Sequence, residues 1–155
     1  MQLIEKALNE NKASILLVPE ISLTPQTVNR FIARFGKEEI AVLHSKLSVG
    51  ERFDQWHKIH EGKAKIVIGA RSAIFAPVKN LGIVIIDEEH DSSYKSEMAP
   101  RYDAKNVARY ICKTVNVPLV LGSATPDLET FYRAKKEEIM LLELTKRANE
   151  AELPS

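Results

Sequence analysis

Leu81-Gly82-Ile83-Val84-Ile85-Ile86, running into Asp87-Glu88-Glu89-His90, decides the fold. The run is apolar throughout instead of alternating, which marks a strand covered on both faces. Similar β-branched runs recur at Ser14–Val18, Ile40–Leu43, Lys65–Ile68, Pro118–Leu121 and Met140–Leu144. Helical patterns lie between them. Val28, Phe31, Ile32 and Phe35 repeat at helical spacing after Thr24 as N-cap and Pro25 at the first position, with Gly36 just past the end. Ser48-Val49-Gly50-Glu51 is a capping box ahead of Phe53, Trp56 and Ile59. Asp103 caps a helix through Val107, Tyr110 and Ile111, and Thr125-Pro126 opens one through Leu128, Phe131 and Tyr132. Strand–helix alternation of this kind predicts an α/β fold, a parallel sheet flanked by helices.

The chain has 155 residues, 22 Lys+Arg against 21 Asp+Glu and a single Cys. That length suits one domain, burying roughly two-thirds of its unfolded surface. No apolar run exceeds four residues, against about 20 for a bilayer span, so a membrane role is not expected. MQLIEKALNE lacks the apolar core of a signal peptide. Cys112 has no partner cysteine, which fits a reducing, cytoplasmic setting and excludes an internal disulfide. A net charge of +1 excludes nucleic-acid binding by a bulk positive field but leaves room for a local phosphate track. The sequence has no internal repeat, and only the polar tail from about Thr145 to Ser155 reads as loosely held.

The residues after each strand carry the chemistry. The runs end in Pro19-Glu20, His44-Ser45, Gly69-Ala70-Arg71-Ser72, Asp87-Glu88-Glu89-His90-Asp91 and Gly122-Ser123-Ala124-Thr125. A parallel sheet gathers these ends on one edge, where open α/β folds bind ligands. Turn formation explains the Gly and Pro but not five clusters of charge, hydroxyl and imidazole. A buried strand that delivers two adjacent carboxylates suits nucleotide hydrolysis. The first holds a Mg²⁺ bridging the β- and γ-phosphates, and the second orients and deprotonates the attacking water.

Asp87-Glu88-Glu89-His90 together with Ser123-Ala124-Thr125 resembles superfamily 2 helicases and translocases. Pro19–Gln26, His44-Ser45, Gly69–Pro77, Asp87–Lys95, Pro100-Arg101-Tyr102 and Gly122–Pro126 narrow the resemblance to the primosomal replication-restart helicases, the PriA family. It runs from residue 1 to about 145, over most of a first RecA-like motor lobe, with 146–155 as a tail or the start of a connection. One departure stands out: a phosphate-cradling Gly-x-x-x-x-Gly-Lys-Ser/Thr loop is absent, since Gly36-Lys37 precedes Glu38 and Gly62-Lys63 precedes Ala64. In the family that P-loop and its strand come just before the helix that Gln2–Asn9 resembles, so the chain reads as a partial lobe lacking the P-loop strand. The second lobe, the DNA-binding domain and the family's zinc-binding cysteines are also outside it.

The resemblance implies ATP and Mg²⁺ as cofactors. Asp87 would hold the metal, Glu88 would be the base, and both would face the nucleotide; zinc belongs to the full-length family and not to these residues. His90, with Ser123 and Thr125, would couple hydrolysis to movement on DNA. Thr24, Arg71 and Ser72 would line a single-stranded DNA track, where the helix start at Pro25 suits phosphate oxygens. Tyr94, Arg101 and Tyr102 fall in what resembles the aromatic-rich loop after the carboxylates. By family the activity is a 3′-to-5′ DNA helicase of replication restart. Its partners are forked and single-stranded DNA, primosome proteins and single-stranded-DNA-binding protein, and its setting is cytoplasmic and nucleoid-associated. The chain alone is expected to be inactive. In RecA-like sheets the P-loop strand lies centrally, so its loss is expected to leave Ile83–Ile86 short of a neighbour.

Other features read as structural. His57 and His60 have zinc-compatible spacing but no third ligand. Phe53, Trp56 and Ile59 read as core, Lys135–Glu138 as a solvated helix end, and Cys112 as a packed thiol. Two alternatives stand beside the helicase reading: a non-catalytic nucleic-acid-binding remnant of a translocase, and a restriction-type motor, against which the Ser92–Tyr102 stretch argues.

Overall fold

The computed structural model describes residues 1–144, which fall into two compact units divided between Thr125 and Pro126. The first is built on five parallel strands: β1 (Ala13–Leu17), β2 (Ile40–Leu43), β3 (Ile66–Gly69), β4 (Leu81–Ile86) and β5 (Leu119–Leu121). Their order across the sheet is β2-β3-β1-β4-β5. In register, Leu17 lies between Gly69 of β3 and Ile86 of β4, so the strand ends share one edge.

Both faces are covered, which is why the strands do not alternate in polarity. On one face Ile15, Leu17, Val67, Val84 and Ile86 pack with Ile59 of α3 (Val49–His60) and with Ala104, Ala108 and Cys112 of α4 (Ala104–Val115). On the other, Leu16, Ile40, Ile66 and Ile68 pack with Ile4 of α1 (Gln2–Asn9) and Phe31 of α2 (Pro25–Phe35). Strand residues one apart thus face opposite cores. The local signals act as their chemistry dictates. Thr24 accepts from the Thr27 amide, Ser48 and Glu51 close a reciprocal box, and Asp103 accepts from the Lys105 amide. Gly69 is required by contact: a Cβ there would come within 2.5 Å of Leu43 O and Ala73 Cβ.

The second unit contains α5 (Leu128–Lys135), and two expectations change there. The helix begins at Leu128, not at Pro126, because Asp127 is the cap and accepts from the Glu129 amide. Met140–Leu144 forms no strand. Met140, Leu142 and Leu144 are exposed, and no ladder partner is present among the described residues. The tail at 146–155 lies outside the described residues. A third correction concerns the sheet. The carboxylate strand β4 is not left short of a neighbour, since it pairs with β1 on one side and directly with β5 on the other. The strands open on one side among the described residues are the two edge strands, β2 and β5.

Candidate active site and nucleic-acid edge

At the end of β4 the Asp87 amide donates to Leu17 O at 2.9 Å, extending the ladder by one residue. The chain then turns. Glu88 adopts a left-handed backbone (φ 47°), and its amide donates to Asp87 Oδ1 at 3.0 Å. For a residue with a Cβ that conformation costs about 1 kcal/mol or more, a strain that concentrates at functional turns. The turn sorts four consecutive polar residues. Asp87 and His90 are exposed, Glu88 is half-buried, and Glu89 is buried (1% exposed) against Lys105 Nζ at 3.2 Å. Asp87 and Glu88 are therefore accessible at the end of β4, whereas Glu89 is packed inside.

The neighbouring strand completes the site. The Gly122 amide donates to Ile86 O at 2.8 Å and the Glu89 amide donates to Gly122 O at 3.0 Å. A Cβ at Gly122 would sit 3.3 Å from Asp87 Oδ1, so glycine keeps that carboxylate uncrowded. His90 Nδ1 lies 2.7 Å from Ser123 Oγ and 3.6 Å from Glu88 Oε2. Ser123 Oγ also accepts from the Thr125 amide at 3.0 Å. Asp87, Glu88, His90, Ser123 and Thr125 thus gather around one strand-to-strand junction.

Tyr94 is placed differently from its sequence reading. Its ring is 1% exposed and its hydroxyl donates to the Asp87 backbone carbonyl at 2.5 Å, so it cannot stack on a base. Burial, reinforced by the Asp87, Asp91 and Glu88 carboxylates, raises its pKa and keeps the hydroxyl a proton donor.

The edge beyond β1 and β3 is a cleft of about 400 Å³ whose lining includes Glu20, Ser45, Arg52, Trp56, Arg71 and Ser72. Thr24 spends its hydroxyl oxygen on capping Thr27, and Pro25 has no N–H. The α2 start therefore offers fewer free donors than its sequence suggests. Arg71 is half-buried. One terminal nitrogen donates to Ser93 O (3.0 Å) and Lys95 O (2.7 Å), and the guanidinium lies 5.7 Å from the Tyr102 ring centre. Tyr102 in turn meets Phe75 edge-on at 5.1 Å. Arg101 is exposed and donates to Glu97 O at 3.2 Å. The 92–102 segment is thus a tethered loop.

Several site features escaped the sequence. Trp56 is not core: it is 37% exposed and lines the cleft, and Phe53 is 67% exposed. Arg52 and Trp56 are four apart on α3 and so share a face, a spacing that could have placed them together. Glu20 accepts from the Ser45 hydroxyl and from its amide, and this bonding, the hydroxyl first, holds the Glu20 carboxyl below the usual range. Cys112 is packed as expected, and burial pushes its thiol up to about 11. Among the described residues no cluster of three or more His, Cys, Asp or Glu could hold a metal, and no helix is long and apolar enough to cross a membrane.

Residues 1–134 match the DEAD/DEAH box helicase family. The chain belongs to that family. As a DEAD/DEAH box helicase chain it is 56% identical over 154 residues to replication restart protein PriA of Bacillus subtilis, covering 99% of this chain and 19% of that protein. It is 51% identical over 143 residues to the protein of the same name from Treponema pallidum, covering 92% of this chain and 22% of that one. The resemblance to the replication-restart family is borne out by these relatives, of whose length the chain spans about a fifth. The fold agrees too. The Pyrococcus furiosus Hef helicase domain superposes with a TM-score of 0.60 at 20% identity, over 90% of this chain and 30% of that one. The C-terminal part of the Fun30 ATPase domain gives 0.53 at 14%, over 93% and 44%.

Proposed function

We propose that this chain is the carboxylate-bearing part of the first motor lobe of an ATP-dependent, 3′-to-5′ DNA helicase that acts in replication restart. The observation that carries the reading is the junction at the ends of β4 and β5. Two adjacent carboxylates, Asp87 and Glu88, stand at the end of β4, and His90, 3.6 Å from Glu88, lies 2.7 Å from Ser123 just past β5.

Asp87 fits a Mg²⁺ ligand, being exposed, oriented by the Glu88 amide and left uncrowded by Gly122. Bound Mg²⁺ supplies neutralisation of charge on the β- and γ-phosphates of ATP. Glu88, beside it, takes a proton from the attacking water. The His90–Ser123 contact passes a change at Glu88 to the strand end that leads to Thr125. Ser72, with Arg52 and Trp56 across the cleft, offers a hydroxyl, a cation and a ring to single-stranded DNA. The 155 residues hold no Gly-rich Lys-Ser/Thr loop, so positioning of the phosphates must come from sequence outside them, and the chain alone is inactive. Primosome proteins and single-stranded-DNA-binding protein as partners, and a cytoplasmic, nucleoid-associated setting, follow from the replication-restart reading.

The test is a chimera in which this chain replaces the corresponding residues of Bacillus subtilis PriA. ATP hydrolysis stimulated by single-stranded DNA is expected, and Glu88→Gln should lower turnover by about 100-fold or more while ATP still binds. The isolated chain should show no turnover above its Glu88→Gln form. The competing reading, a non-catalytic nucleic-acid-binding remnant, draws on the missing phosphate cradle. A chimera that binds DNA without hydrolysing ATP would establish it.

A further inference from the structure

Arg71 and Tyr94 belong to different turns yet share one short hydrogen-bonded path. Arg71 opens the turn after β3 (Arg71–Phe75), and Tyr94 closes the turn Ser92–Tyr94 in the loop after β4. The Arg71 terminal nitrogen has two N–H groups and two acceptors, Ser93 O at 3.0 Å and Lys95 O at 2.7 Å, the carbonyls flanking Tyr94. The Tyr94 hydroxyl then reaches back to the Asp87 carbonyl at 2.5 Å. The Tyr102 ring lies 5.7 Å from the guanidinium and is itself met edge-on by Phe75.

We propose that Arg71 and Tyr94 are positioning residues that form a strut, Arg71 gripping both sides of Tyr94 and Tyr94 gripping the backbone of Asp87. The inference rests on the reading of Asp87 as the metal-holding carboxylate. It reassigns Arg71. Two of the five N–H groups of the guanidinium are spent on these carbonyls, which gives Arg71 a role toward the carboxylate whatever its remaining donors meet. It also explains why a tyrosine is buried under an exposed acidic edge, where a phenylalanine would pack as well. A ligand on the neighbouring Ser72 hydroxyl moves the turn that carries Arg71, and the strut converts that movement into a change at Asp87.

The test uses Tyr94→Phe, Arg71→Ala and Arg71→Lys in the same chimera. With no nucleotide or metal, amide exchange over 88–95 should quicken in Tyr94→Phe and Arg71→Ala, and recover partly in Arg71→Lys, which restores one donor. The Mg²⁺ concentration for half-maximal DNA-stimulated hydrolysis should rise by about 10-fold in Tyr94→Phe, as for other outer-shell supports. DNA affinity should stay within about twofold. Combining Tyr94→Phe with Arg71→Ala should be no worse than Tyr94→Phe alone, since both break one path. Unchanged exchange over 88–95 in Tyr94→Phe overturns the strut. So does an Arg71→Ala variant that loses DNA affinity and salt dependence but keeps its Mg²⁺ dependence, the pattern of a phosphate contact. If the parent chimera hydrolyses no ATP, the functional reading fails, and the exchange comparison still decides the strut.

Discussion

His90 Nδ1 and Ser123 Oγ lie 2.7 Å apart, joining the loop after β4 to the end of β5. Ser123 Oγ is at the same time the acceptor for the Thr125 amide, so one oxygen ties the histidine to the backbone beyond β5. Ser123→Ala removes both links without touching Asp87 or Glu88. In the chimera this should lower DNA-stimulated ATP turnover about fivefold, the effect of roughly 1 kcal/mol for one net hydrogen bond. Rates with and without single-stranded DNA check it, with DNA-free turnover and the KM for ATP largely spared. An unchanged stimulation ratio would remove Ser123 from the coupling path.

Glu89 and Lys105 make the buried counterpart of that exposed pair, at 3.2 Å with side chains 1% and 9% exposed. Removing the ammonium takes a charged partner from a buried carboxylate, which destabilises the core. Lys105→Met should lower the urea midpoint of the 155-residue chain clearly, and adding Glu89→Gln should recover much of the loss. A Lys105→Met chain as stable as its parent would show that Glu89 is satisfied without its ammonium partner.

The Glu20–Ser45 contact ties the loop after β1 to the loop after β2. Because bonding to Ser45 depresses the Glu20 pKa, the contact is complete above the ordinary value of 4.5 and is lost as pH falls through the lower folded value. The Ser45 amide resonance should therefore titrate with a midpoint below 4.5, and Glu20→Gln should abolish that step. A midpoint at or above 4.5 would mean that the hydrogen bonds do not persist in solution.

What could be read from the sequence divides along a physical line. Five strands and the caps Thr24, Ser48 and Asp103 were legible because each rests on local signals, an apolar run or a side chain three residues from an amide. Met140–Leu144 has the same apolar signal and forms no strand, since a strand also needs a neighbour to pair with. Asp87, Glu88 and His90 stood out by residue type at a strand end. The partners that fix them did not, because Tyr94 to Asp87 and Arg71 to Ser93 and Lys95 are contacts between turns that only the folded chain brings together. Trp56 misled for a related reason. Helical spacing with Ile59 marks a shared face, yet α3 buries Ile59 fully and leaves Trp56 at the rim of the cleft.

The pairing of β4 on both sides changes where this chain should be vulnerable on its own. Ile83, Val84 and Ile86 are buried, and β4 is laddered to β1 and β5. Amides across 83–86 should exchange slowly, with the core and not with an open edge. Of the two edge strands, β2 is largely buried, with the Val42 amide and Ile40 carbonyl taken up by Gln55 and Lys58, so the more exposed template is β5, three residues long and half-buried throughout. Leu119 and Leu121 pack against the core, while Val120 points to the other face. An apolar edge of this kind invites pairing with a second chain, and a single lysine is an effective guard. Val120→Lys should therefore reduce concentration-dependent light scattering of the 155-residue chain while leaving protection across 83–86 in place. Were the parent chain to stay monomeric at high concentration, or Val120→Lys to scatter as strongly as the parent, the β5 edge would not be the site of association.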